Sequence, residues 1–143
     1  MIRYPDWEVR LAAYLEPLRE EPFAWGRHDC CIFAAGAVLA MTGTDAMAEF
    51  RGRYSTKRGS AVALGRHGKG SLAATLDAKF EGIPVGHAHR GDIVMADGTL
   101  GIGMGAFSIH VGAVGERQGL IRKSRSEWTR AWCVPMPDGA DRG

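Results

Sequence analysis

The stretch PFAWGRHDCCIF, Pro22 to Phe33, sets Asp29 and Cys30 at the head of an apolar run. A cysteine in the first turn of a helix sits among unpaired backbone N–H groups at the positive end of the helix dipole. Both favour thiolate over thiol, and the thiolate is the nucleophile. Attack on an amide needs more: a histidine to relay the proton, a group to orient it, and donors for the oxyanion. Taken alone, a cysteine at such a position is more often a small buried core residue. The rest of the chain must supply the histidine if Cys30 is to be more than that.

The chain has five histidines. Asp29 reads as a helix cap rather than a participant in chemistry. His28 lies two residues before Cys30 and reads as a solvated or structural loop group. His87 and His89 form a His-x-His pair whose nearest further ligand is Asp92, too few for a metal site. His67, between Arg66 and Gly68, reads as exposed. Gly101, Gly103 and Gly105 fall in a strand context without a following helix or lysine, so they are not a phosphate loop. From Arg51 to Lys69 the chain carries Arg51, Arg53, Lys57, Arg58, Arg66 and Lys69 and no acid. That run reads either as a solvated helical surface or as a patch for an anionic partner, nucleic acid being the weakest choice.

Positioning these residues requires helices first and strands afterwards. DWEVRLAAYLEPL places Trp7, Leu11, Tyr14 and Leu15 at helical spacing, with Pro17 and Pro22 closing it. A second helix from Cys30 carries Phe33, Ala34, Ala37, Val38 and Met41 on one face, with Asp29 as N-cap and Gly43 past its end. Its small residues, Ala34 to Ala37, predict close approach to a sheet. TDAMAEFRGRY reads as a short third helix, and STKRGSAVALGRHG and SLAATLDAKFEG as a fourth and fifth. After Pro84, GDIVMADG, TLGIGMG, FSIHVGAVG, GLIRKS and EWTRAWCV read as strands separated by glycine or Asp-Gly turns. Trp128 and Trp132 are expected to pack the last strand on the core. The order predicts one α+β domain over 1–143, with a disordered tail at about 138–143.

Composition agrees with a globular chain: 143 residues, 45% hydrophobic, 24% charged, formal net charge +2. So small a charge gives no support to a nucleic-acid binder. The longest apolar run, Cys30 to Met41, falls short of the ~20 residues needed to cross a bilayer. Asp6, Glu8 and Glu16 interrupt any signal-peptide pattern, so synthesis and folding in the cytoplasm are expected. Three cysteines, two of them adjacent and none in a Cys-x-x-Cys pair, argue against a disulfide framework and against zinc.

FAWGRHDCCIF followed by RGDIVMADG and a glycine-punctuated strand pair resembles the NlpC-type family of papain-like cysteine peptidases, which cut peptidoglycan stem peptides. Trp25, Gly26, Asp29 and Cys30 match that family's first element, with Cys31 where a serine is usual. Gly91, Asp92, Ile93 and Val94 match its second. The resemblance covers residues 22 to 43 and 90 to 134. Two registers place the histidine. In one, TLGIGMG takes the place of the family's His-Val-Gly-Ile strand, Thr99 stands where the base belongs, and His110 falls near the family's second histidine. In the other, HVGAV is the histidine strand and His110 is the base.

The longer stretch from Phe23 to Thr56, with RGDIV, LGIGMG and AWCV, resembles a phage and prophage tail-associated branch of that superfamily. The resemblance implies a papain-like α+β fold at the virion tail tip, with other tail-tip and hub proteins as partners. It implies no cofactor, no metal, no nucleic acid and no membrane insertion. As an enzyme the chain would cut a γ-linked or D-amino-acid-containing peptide bond, with Cys30 attacking, His110 relaying the proton, and Trp25, Asp29 and Thr99 in support. The competing expectation is a tail-tip assembly protein that kept the fold and lost the base.

Overall fold

The structure is a computed structural model and describes residues 1–137. The tail expected at 138–143 lies outside the described residues. The first helix, α1 (Trp7–Leu15), buries Trp7, Leu11 and Leu15 on one side. Asp6 precedes it without capping it; its carboxylate meets Arg10 instead.

Helix α2 (Cys30–Thr42) begins and ends as its sequence predicts. Asp29 Oδ1 accepts from the Ile32 N–H at 2.9 Å, and Gly43 closes the helix in the left-handed conformation at φ +79. Ala34 and Ala35 lie against Ile93 and Leu100 of the sheet, where small side chains permit close approach. Helices α3 (Lys57–His67) and α4 (Leu72–Lys79) are capped by the side chains of Thr56 and Ser71.

Six antiparallel strands complete an α+β architecture: β1 (Glu81–Ile83), β2 (Ile93–Ala96), β3 (Thr99–Gly103), β4 (Phe107–Val114), β5 (Arg117–Ser124) and β6 (Trp128–Cys133). Their order across the sheet is β1-β6-β2-β3-β4-β5. Asp97 and Gly98, both at positive φ, make the two-residue turn between β2 and β3. One face of the sheet, with Ile93, Met95, Leu100, Ile102 and Val111, packs on the helices in the main core. On the other face Val94, Ala96, Ala131 and Trp128 form a smaller cluster with Ala88.

Two elements depart from the sequence reading. The helix expected in TDAMAEFRGRY is a single 3-10 turn, Ala48–Phe50. Asp45 engages the Met47 N–H and the Arg51 side chain, and Gly52 at φ +73 leaves helical space, so no ladder propagates. Strand β1 was not expected. Three residues around a glycine carry no alternation, and Glu81–Ile83 is extended because β6 provides a ladder for it.

The Gly91-Asp92 pair joins the two ends of the fold. Asp92 is fully buried. Its Oδ1 accepts from Arg3 Nη2 at 2.8 Å and from the Val134 N–H at 3.1 Å, and its Oδ2 from the His89 N–H at 2.9 Å. Arg3 also donates to the carbonyls of Val134 and Arg90. Gly91 takes φ +90, and a Cβ there would strike the Arg3 guanidinium. Removing one charge of a buried pair strands the other in a poor dielectric. Asp92→Asn is therefore expected to cost about 3 kcal/mol, read as a lower urea midpoint, whereas the exposed Arg10→Ala should leave the midpoint unchanged.

Candidate functional site

The loop before α2 is built around one carboxylate. Asp29 Oδ2 accepts from the Gly26 N–H at 2.9 Å and from the Tyr54 hydroxyl at 2.6 Å, while Oδ1 caps α2. Gly26 takes φ +78, and a Cβ on it would collide with the Tyr54 carbonyl. Trp-Gly followed by Asp-Cys is thus a tight turn locked onto a helix start and onto the segment that carries Tyr54. Burial and the Asp29 carboxylate together push the Tyr54 phenol well above its ordinary range, so it stays a donor.

Trp25 projects from this turn, 37% exposed and edge-on to Phe23. Trp25, Tyr54, Leu64 and Leu72 line a cavity of about 60 Å³ that Cys30 and Cys31 also reach. Room for one or two waters or a small apolar group is available there.

Cys30 is the first residue of α2 and is half-buried. Burial pushes its thiol above the ordinary value, and the Asp29 carboxylate adds to that push. The backbone N–H groups of Leu100, Cys31 and Cys30 pull the other way without prevailing. Cys31, facing the core, is also raised, again chiefly by burial.

The register of β3 explains the Leu100 contact. The two-residue turn closes the Ala96↔Thr99 pair, so Leu100 directs its N–H and C=O toward β4. β4 ladders to β3 at Ile102↔Ile109 and Gly103↔Ser108, which leaves Leu100 outside the pairing. Its N–H favours the Cys30 thiolate, and its C=O favours protonation of His110.

His110 does not meet Cys30. Leu100, Ile102 and Val111 belong to the helical core, so by strand alternation Thr99, Gly101, Ser108 and His110 point to the face opposite α2. The His110 ring lies over Gly101, where any Cβ would strike it. Trp128 Nε1–H donates to Ser108 Oγ at 2.8 Å, and Ser108 Oγ meets His110 Nε2 at 2.6 Å. His110 Nδ1 meets Thr99 Oγ1 at 3.3 Å, and that hydroxyl donates to the Ala96 carbonyl at 3.0 Å. With the Thr99 proton on the Ala96 carbonyl, the tautomer that satisfies both contacts carries its proton on Nδ1 and accepts from Ser108 at Nε2; the Ser108 hydroxyl also lies 3.4 Å from the Lys123 carbonyl. This makes His110 a neutral imidazole with both nitrogens committed. Burial, helped by Lys123 nearby, pushes its pKa down to about 4.

The remaining candidates are dispersed. His28 is buried, edge-on to Phe33, and its Nε2 has no hydrogen-bond partner. His67 is exposed beside Phe50. Asp92, the one possible third ligand for His87 and His89, is committed to Arg3. Among the described residues no three His, Cys, Asp or Glu side chains converge on a metal position. Within the basic run Arg51 pairs with Asp45, while Arg53, Lys57, Arg58, Arg66 and Lys69 are exposed.

Sequence reasoning missed Tyr54, Ser108 and the Leu100 backbone. Ser108 had a signal, because i and i+2 share a strand face; Tyr54 and Leu100 had none.

A family model described as a domain of unknown function, DUF6950, matches residues 2–134. The chain belongs to this family. The DUF6950 match spans every helix and strand, from the Arg3 segment through β6, and so includes both the Asp29 turn and the Arg3–Asp92 joint. No curated protein matches the chain. No helix is long and apolar enough to cross a membrane among the described residues.

The depressed His110 pKa predicts a pH signature. The unfolded chain takes up the proton near the ordinary value of 6.5, the native state only near 4. Stability is therefore full above pH 6.5 and falls as pH drops from there toward 4, by up to about 3 kcal/mol. His110→Gln, measured by urea unfolding across that range, should be less stable at neutral pH and show a shallower acid slope.

Proposed function

We propose that this chain is a phage or prophage tail-tip protein of NlpC-type papain-like fold that acts in assembly or binding without hydrolysing a peptide bond. The observation that carries the loss of hydrolysis is the state of His110. Both its ring nitrogens are engaged by Thr99 and Ser108 on the sheet face away from Cys30. A thiol raised by burial, with no imidazole to take its proton, is a poor nucleophile near neutral pH. Thr99 adjoins the Leu100 N–H that reaches Cys30, which suits the register in which threonine stands at the base position; a hydroxyl cannot accept and return a proton there. The fold assignment rests on the order of elements: an aromatic-Gly turn, Asp-Cys opening a helix, then Gly-Asp leading into an antiparallel sheet. The tail-tip role rests on the resemblance of the Phe23 to Thr56 stretch.

Two experiments test this reading. Iodoacetamide at about pH 6.5 should alkylate Cys30 no faster than an ordinary thiol, and purified protein should leave peptidoglycan intact. Digestion by wild type that Cys30→Ala abolishes would restore the peptidase reading with Cys30 as nucleophile. In a prophage that encodes the chain, deletion should abolish infectious particles, and a Cys30→Ala copy should restore them. Normal particle yield after deletion would remove the tail-tip role.

A further inference from the structure

Helix α2 has no charged side chain from Cys30 to Thr42. A helix apolar on every side is ordinarily covered on every side, yet α2 is not. Its outer flank, with Ile32 and Leu39, lies along a groove of about 420 Å³ whose far wall includes Tyr14. Leu39 is 42% exposed. The charged side chains at this groove are both cations, Arg27 and Arg51, and no acid lines it; the Tyr14 hydroxyl beside them donates to the Phe33 carbonyl. Arg51 is held by Asp45 on one side. Arg27 is exposed and makes no salt bridge among the described residues. His28 forms part of the groove wall but is buried with its Nε2 shielded, and burial holds its ring toward the neutral form, so it offers the groove no charge.

We propose that this groove is the docking site for a partner protein's segment that sets an apolar side chain on Ile32 and Leu39 and a carboxylate against Arg27. Charge selects this occupant: a carboxylate pairs the Arg27 guanidinium beside a second cation, Arg51, and a basic or neutral segment leaves it unmet. The groove shares no lining residue with the Cys30 cavity, so the inference stands apart from the fate of the thiol.

The test uses the full chain and three blocked hexapeptides, alternating leucine with glutamate, with glutamine or with lysine. Backbone amide shifts followed by NMR should move at Tyr14, Arg27, Ile32 and Leu39 with the glutamate peptide. The glutamine peptide should bind about tenfold more weakly, the share of one charge-assisted contact, and the lysine peptide not measurably. Leu39→Asp, at an exposed position, should abolish binding while circular dichroism and the thermal midpoint stay unchanged. Arg27→Gln, also at an exposed position, should lose about tenfold in affinity for the glutamate peptide and leave binding of the glutamine peptide unchanged. Equal binding of the glutamate and glutamine peptides, or absence of any shift in the groove, overturns the proposal. So does concentration-dependent dimerisation that Leu39→Asp removes, which makes a second copy the occupant.

Discussion

One carboxylate organises the front of this molecule. Asp29 satisfies the first turn of α2, fixes the Trp25-Gly26 turn and anchors the Tyr54 hydroxyl. Each bond needs the others: the Gly26 N–H reaches the carboxylate because Gly26 adopts a conformation open mainly to glycine, and that conformation presses the turn against the Tyr54 carbonyl. The position of Cys30 follows from this lock, since it is the residue after the cap. The same carboxylate also works against the thiol. A negative charge beside the sulfur opposes thiolate formation, so the interaction that places Cys30 also contributes to its low acidity.

The back of the sheet shows a second balance. A buried histidine and serine and a half-buried threonine, with a tryptophan donor, resemble by residue type the parts of a hydrolytic relay. Their contacts form a chain that runs from the Trp128 indole through Ser108, His110 and Thr99 to the Ala96 carbonyl. A fully satisfied buried network of this kind rigidifies and specifies packing. It also holds His110 neutral and immobile, the opposite of what a proton shuttle requires. Gly101 completes the arrangement by leaving the space the ring occupies.

What the sequence disclosed depended on whether the signal was local. The caps of α2, the Asp-Gly turn and the strands β2 to β6 were legible because apolar spacing, a capping side chain and turn residues act within a few positions. The short turn at Ala48–Phe50 was not, because side-chain bonds from Asp45 competed with helix formation. Strand β1 was hidden because its extended form depends on a partner fifty residues away. The chemistry-bearing residues were individually visible, yet the side of the sheet each faces was set by the β3–β4 register. That register separated Cys30 from His110, and no spacing along the chain announced it.

The joint of Arg3, Asp92 and Val134 brings the segments at the two ends of the fold side by side, with the Arg3 N–H on the Pro135 carbonyl. Tension applied through those segments would fall on this joint first and prise it apart bond by bond. The sheet and the Asp29 turn would carry load only after it had opened.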